Sequence, residues 1–330
     1  MTAPIGSPAR APPPALTRLG RFLADRPLIP LILLLLALVG LLEAMNPGVI
    51  NARWLANSLK VAIPLAMLAA CQTLTMLTGG IDLSAGTVAT ISAFVMVTLV
   101  PLIGIPAAIA IALTCALVAG LVNGFGIAIC RVHPLIMTLG TALVGFGCLL
   151  VYQRMVIATG YKIPDFLLWL GIGRTFGLPN GLFLFVPFAA LLIWAQRRTG
   201  FGRLLYAVGS NEAAARLSGV RSWQVFLALY ALSGLIAGLT GMLYIGIVKT
   251  PSLSLVLPLD LPSVAAAVVG GTSIFGGRGG YGGTIVGALI LTVLATMLTL
   301  LQLPEGARRI LFGLIILAVT AAYIRLTTQT

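Results

Sequence analysis

The chain has 330 residues, 59% of them hydrophobic and only 8% charged, with a formal net charge of +13. An ordinary soluble domain carries about 25% charged residues, so water is not the main solvent of this chain and a soluble enzyme or scaffold is excluded. The 20 Lys and Arg residues are scattered between apolar runs, not gathered on one domain, which argues for loop charges of a membrane protein and against a nucleic-acid binder.

In chain order, residues 1–27 are expected to form a cytoplasmic tail, disordered around PARAPPPA. Arg10, Arg18, Arg21 and Arg26 against Asp25 place the N-terminus inside by the preference of cationic loops for that side. The first apolar run, 28–42, has no small-residue cleavage site soon after it and reads as a retained helix. Further runs of spanning length follow at 61–81, 132–153, 175–196, 222–248 and 279–304, all without Asp, Glu, Lys or Arg. Residues 83–130 suffice for two passes, with Pro101, Gly104 and Pro106 marking the turn. With 261–277 and 310–324 the spans number nine or ten. The expected fold is an all-α, polytopic transmembrane bundle of about ten helices, some interrupted, over residues 28–326, with a short tail at 327–330 and both termini cytoplasmic.

Two glycine-rich interruptions stand out, TGGIDLSAG (78–86) and GGTSIFGGRGGYGG (270–283), each between apolar stretches. Unwound backbone at membrane depth is tolerated where it is buried or lines a cavity, and the rough likeness of the two hints at an internal duplication. Asp82 is the main ionisable residue in this apolar context; it either caps the restarted helix together with Ser84 or belongs to a solute path. Gln72, Thr75, Asn123 and Thr138 are the other polar candidates for lining such a path. The pairs Gly120/Gly124, Gly234/Gly238 and Gly283/Gly287 are four residues apart and read as helix-packing signals.

The one long polar stretch is 197–222, with Arg197, Arg198, Arg203, Arg216 and Arg221 against Glu212. It belongs on the cytoplasmic side. Ser210 or Asn211 can cap a helix there, Glu212 suits its positive end and Gly219 can stop it. Two turns of helix are marginal alone in water, so this one needs a surface: lipid, its own loops or a soluble partner.

Catalytic chemistry is scarce. None of Lys60, Lys162 and Lys249 sits in a phosphate-binding loop, the lone His133 beside Pro134 reads as structural, and no GxSxG elbow occurs. Cys71, Cys115, Cys130 and Cys148 lack metal-ligand spacing and read as buried small hydrophobes. No catalytic, cofactor or metal residue is assigned.

Taken with AGLVNGFGIAICRVHPLIMTLGT (119–141), FGRLLYAVGSNEAAARLSGV (201–220) and VVGGTSIFGGRGGYGGTIVGALI (268–290), the segment TGGIDLSAG resembles the permeases of ribose-, xylose- and galactose-type ABC importers. A wider kinship takes in branched-chain amino acid permeases. The resemblance implies a bacterial inner-membrane subunit that binds no cofactor itself. Its partners would be cytoplasmic ATPase subunits that use ATP, a periplasmic sugar-binding protein and a second permease copy, moving a monosaccharide or related polyol. It further implies that Gly209, Asn211, Glu212, Ala213, Ala214, Arg216, Leu217 and Gly219 form the coupling helix that docks on the ATPase. The alternative is an ATP-independent carrier or facilitator.

Overall fold

The computed structural model describes residues 28–156 and 160–302, with positions 304, 306–307, 310–311 and 313–314. Both expected tails and most of the expected last span, 310–324, lie outside the described residues. The chain runs through α1 (Leu28–Met45), α2 (Ala52–Leu77), α3 (Ala85–Ile103), α4 (Ile105–Ala128) and α5 (Pro134–Val156). Next come a short α6 (Asp165–Ile172) and an antiparallel hairpin of β1 (Arg174–Thr175) and β2 (Leu178–Pro179), with Arg174 opposite Pro179. Then follow α7 (Gly181–Arg198), α8 (Gly200–Ser210), α9 (Glu212–Leu217), α10 (Ser222–Val248), α11 (Asp260–Val269) and α12 (Tyr281–Leu300). Among the described residues eight helices, α1–α5, α7, α10 and α12, are long and apolar enough to cross a membrane.

Several boundaries follow from local chemistry. The Asn51 side chain accepts from the Trp54 backbone N–H at 2.9 Å, which starts α2 nine residues before the uncharged run begins at Val61 and carries Arg53 and Lys60 on its first turns. The α3–α4 turn is Gly104 alone, at φ +80°, with Pro106 in the first turn of α4. The run at 175–196 becomes a span only from Gly181. Before it the chain turns back through the hairpin, where Thr175 donates to the Asn180 side chain at 2.7 Å and Asn180 donates to the Trp169 carbonyl at 3.1 Å. The run at 261–277 differs more from expectation. Only Asp260–Val269 is helical, ten residues, about 15 Å of rise against a hydrocarbon core of about 30 Å. The glycines after it end the helix at about half the length of a span.

α2 is the most enclosed spanning helix, packed between α10 and the α11–α12 pair; α10 also leans on α3, α4 and α6, and α12 on α1. Lipid supplies no hydrophobic drive for these contacts, so close backbone approach does the work. Five of the six paired glycines act in this way, and the sixth, Gly238, packs against side chains. A Cβ at Gly234 would stand 3.1 Å from the Gly120 Cα, and a Cβ at Gly124 would stand 2.9 Å from the Leu227 Cα, so α4 and α10 touch along their backbones. Gly238 meets Ala116 of α4, and Gly283 and Gly287 meet Gly270 and Ala266, fixing α12 on α11. Of the cysteines only Cys71 is buried in the protein; Cys115, Cys130 and Cys148 are exposed, against the expectation that all four are buried. His133 has the structural role expected, its Nδ1 accepting from the Leu135 N–H at 3.3 Å where α5 begins.

Candidate functional site

Both glycine-rich interruptions begin with the same stop. Gly80 N–H reaches the Thr75 carbonyl at 3.0 Å and Gly79 N–H the Met76 carbonyl at 2.9 Å; Thr272 N–H reaches Ala267 and Gly271 N–H reaches Val268, each at 2.9 Å. This is the Schellman pattern, whose C′ residue lies in the left-handed region: Gly79 at φ +77° and Gly271 at φ +88°. The likeness of the two sequences is thus a shared way of ending a helix.

After Gly79 the chain climbs back into the bundle unwound, so its backbone groups need partners from side chains. Gln72 of α2 provides two, donating to the Asp82 carbonyl at 2.8 Å and accepting from the Asp82 N–H at 3.2 Å. Thr138 of α5 donates to the Ile81 carbonyl and accepts from the Leu83 N–H, both at 3.1 Å. The Asp82 carboxylate accepts on Oδ1 from the Ser84 N–H and hydroxyl at 3.0 and 2.6 Å, and on Oδ2 from Ser233 of α10 at 2.7 Å. Asn123 of α4 donates to the Ser84 hydroxyl at 2.8 Å. Five of the six polar candidates therefore meet in one knot, and all five are at most 3% exposed. Thr75 stands apart, since its hydroxyl only returns to the Cys71 and Gln72 carbonyls of its own helix. In this conformation the knot is closed and lines no open path. Asn123 Oδ1 and Tyr230 Oη, the latter 2.7 Å from where a Gly80 Cβ would be, are buried without a hydrogen-bond partner.

Two participants escaped sequence reasoning. Ser233 is one serine in an apolar run, and nothing local marks it. Asp260 opens α11, and its carboxylate lies against the first turn of α3, where a Cβ at Gly86 would overlap it. The glycine of LSAG was the available signal. The Val256 N–H donates to Thr90 of α3 at 3.2 Å, so both broken segments bear on the start of α3.

The polar stretch holds two helices where one was expected. Thr199 caps α8, accepting from Gly202 N–H, and Leu205 and Val208 bury one face; this three-residue spacing went unread beside the arginines. Asn211 caps α9, accepting from Ala214 N–H at 2.9 Å, and Gly219 at φ +86° closes it with Val220 N–H on the Ala215 carbonyl. Glu212 at its start accepts from Arg131 at 2.9 Å and from Ser222 at 2.8 Å. Partial burial pushes that carboxyl up, but these two hydrogen bonds and the charges of Arg131 and Arg216 outweigh it and hold it below its ordinary range. Ala215 is buried, while Asn211, Ala213, Ala214, Arg216, Leu217 and Gly219 face outward. Leu217 is 91% exposed.

Gly209 joins this element to both interruptions. A Cβ there would strike the Leu77 carbonyl and meet Gly277 N at 2.9 Å; a Cβ on Gly276 would meet the Gly209 carbonyl at 2.7 Å and Gly79 N at 3.1 Å. Gly277 N–H donates to the Leu77 carbonyl at 3.0 Å. The end of α8, the end of α2 and the second glycine loop thus meet backbone to backbone, five residues along the chain from Asp82.

The sequence pattern of the family described as branched-chain amino acid transport system / permease component matches residues 54–320. The chain is 33% identical over 287 residues to the ribose import permease protein of Escherichia coli (strain K12), covering 86% of this chain and 89% of that protein. It is 31% identical over 320 residues to the fructose import permease protein of Rhizobium meliloti, covering 93% and 88%. The autoinducer 2 import system permease protein of Escherichia coli O9:H4 (strain HS) is 31% identical over 292 residues, covering 87% and 83%. No solved structure matches the chain.

Proposed function

The chain belongs to the branched-chain amino acid transport system / permease component family, and from that premise we propose that it is the permease subunit of an importer of the sugar branch, working with separate ATPase subunits, an external binding protein and a second permease copy. The relatives at about 30% identity over most of the chain are named for ribose, fructose and autoinducer 2, all small hydroxylated solutes, and this supports a monosaccharide or related polyol. The α8–α9 end is cytoplasmic, in keeping with its arginines. Gly209, Asn211, Glu212, Ala213, Ala214, Arg216, Leu217 and Gly219 form or flank the ATPase-coupling helix. Gln72, Asp82, Ser84, Asn123 and Thr138 act as the gate that must rearrange for a solute to pass, with Thr75 behind them.

One observation carries the mechanism: the coupling element touches the root of the gate through Gly209. Nucleotide that favours one position of α9 by several kcal/mol shifts the equilibrium of the gate by that difference. Uptake of labelled pentoses, hexoses and leucine into vesicles containing the permease, its ATPase and its binding protein tests this. Sugar uptake that needs ATP is expected. Full-rate uptake with the ATPase omitted would make the protein a self-sufficient carrier, and uptake of leucine alone would overturn the substrate class.

A further inference from the structure

The tip of the second glycine loop carries Ile274 and Phe275, and Phe275 is 93% exposed. Its backbone is nevertheless fixed. Ser273 N–H donates to the Arg278 carbonyl at 3.0 Å, Gly276 N–H to the Ser273 carbonyl at 3.2 Å, and Phe275 N–H to the Ser273 hydroxyl at 3.2 Å. The loop is also pinned to the coupling element, with Tyr206 of α8 donating to the Gly279 carbonyl at 2.8 Å and Gly277 packed against Ser210. Ser210 directly precedes Asn211, the residue that caps α9. An aromatic ring is therefore held out on a rigid loop, on the same end of the molecule as Leu217 and continuous with the element that presents it. Arg278 and Arg216, three residues and one residue along the chain from Phe275 and Leu217, are both exposed. An exposed aromatic side chain on a loop whose backbone is fixed in advance has the make-up of an interface anchor, and the backbone need not be ordered when a partner arrives.

We propose that Phe275 is a second contact with the ATPase subunit that receives α9, so that the partner grips the coupling helix and the glycine loop together. This rests on the permease reading above. Gripping both has a mechanical consequence: Gly276 and Gly277 touch Gly79 and Leu77, so the partner would act on the root of the Asp82 segment from two sides.

The test places a photoreactive phenylalanine analogue at position 275, at position 217 and, as a control, at position 176, where Phe176 is 99% exposed in the hairpin between α6 and α7. Membranes carrying the assembled importer are irradiated and probed for the tagged ATPase subunit. Crosslinks from 217 and 275 but not from 176 are expected. A crosslink from 217 without one from 275, or attachment of the 275 probe to phospholipid in its place, overturns the second contact and leaves the permease reading standing. No crosslink from either 217 or 275 sinks the permease reading itself. In parallel, Phe275→Ala should weaken retention of the ATPase by about tenfold or more, the loss a truncated aromatic anchor carries, with no change in the melting of the permease alone. Unchanged retention overturns the proposal.

Discussion

Truncating Asp82 to alanine orphans three donors together: the Ser84 N–H, the Ser84 hydroxyl and the Ser233 hydroxyl. A buried polar group left without its partner costs about 1–3 kcal/mol, so Asp82→Ala should lower the melting temperature in detergent far more than Thr75→Ala, whose hydroxyl bonds only its own helix. Equal losses would mean that the knot is not what holds the unwound segment. Gly209→Ala forces a methyl against the Leu77 carbonyl, and overpacking of this kind costs about 1–3 kcal/mol; Gly219→Ala, with open space around it, meets only the strain of a positive φ and should perturb the junction less. The same assay separates the two. Asp82 was legible because glycines before it and a serine after it in an apolar run leave a carboxylate few roles. Ser233, 151 residues away, was not: one serine among alanines and leucines gives no local sign that it points at a carboxylate, and tertiary proximity alone reveals it.

The element that responds to pH is α9. Glu212 has its carboxyl held below the ordinary range in the folded chain, so its contribution is fully present above the unfolded value and is lost as pH falls through the lower, folded one. Protection of the α9 amides against hydrogen exchange, taken relative to the intrinsic rate at each pH, should therefore stay constant across neutral pH and fall only below the usual carboxylate range. Glu212→Gln should show the lower protection already at neutral pH, by no more than a few-fold, and converge with the unaltered protein at low pH, since a half-exposed pair is worth at most about 1 kcal/mol. A loss of protection between pH 7 and 5 would point to a different group. The cap, acid and stop of this helix were readable from Asn211, Glu212 and Gly219, because capping chemistry is local. α8 was not, because its buried face of Leu205 and Val208 is interleaved with polar and glycine residues. The half-length of α11 was hidden for the opposite reason: an uncharged count of 261–277 registers composition but not where glycine ends a helix.

For the whole molecule, α2 connects the parts. It forms the centre of the bundle, its Gln72 holds the Asp82 backbone, and its last carbonyl, Leu77, receives the second glycine loop and abuts Gly209. Motion of the α8–α9 end cannot leave the unwound segment undisturbed, because the contact is backbone on backbone with no flexible side chain between. The number of sugar molecules imported per ATP hydrolysed, measured in vesicles with the complete importer, tests this directly. Gly209→Ala is expected to lower this ratio at least several-fold while ATP hydrolysis continues and the protein remains folded. A ratio equal to that of the unaltered protein would contradict it.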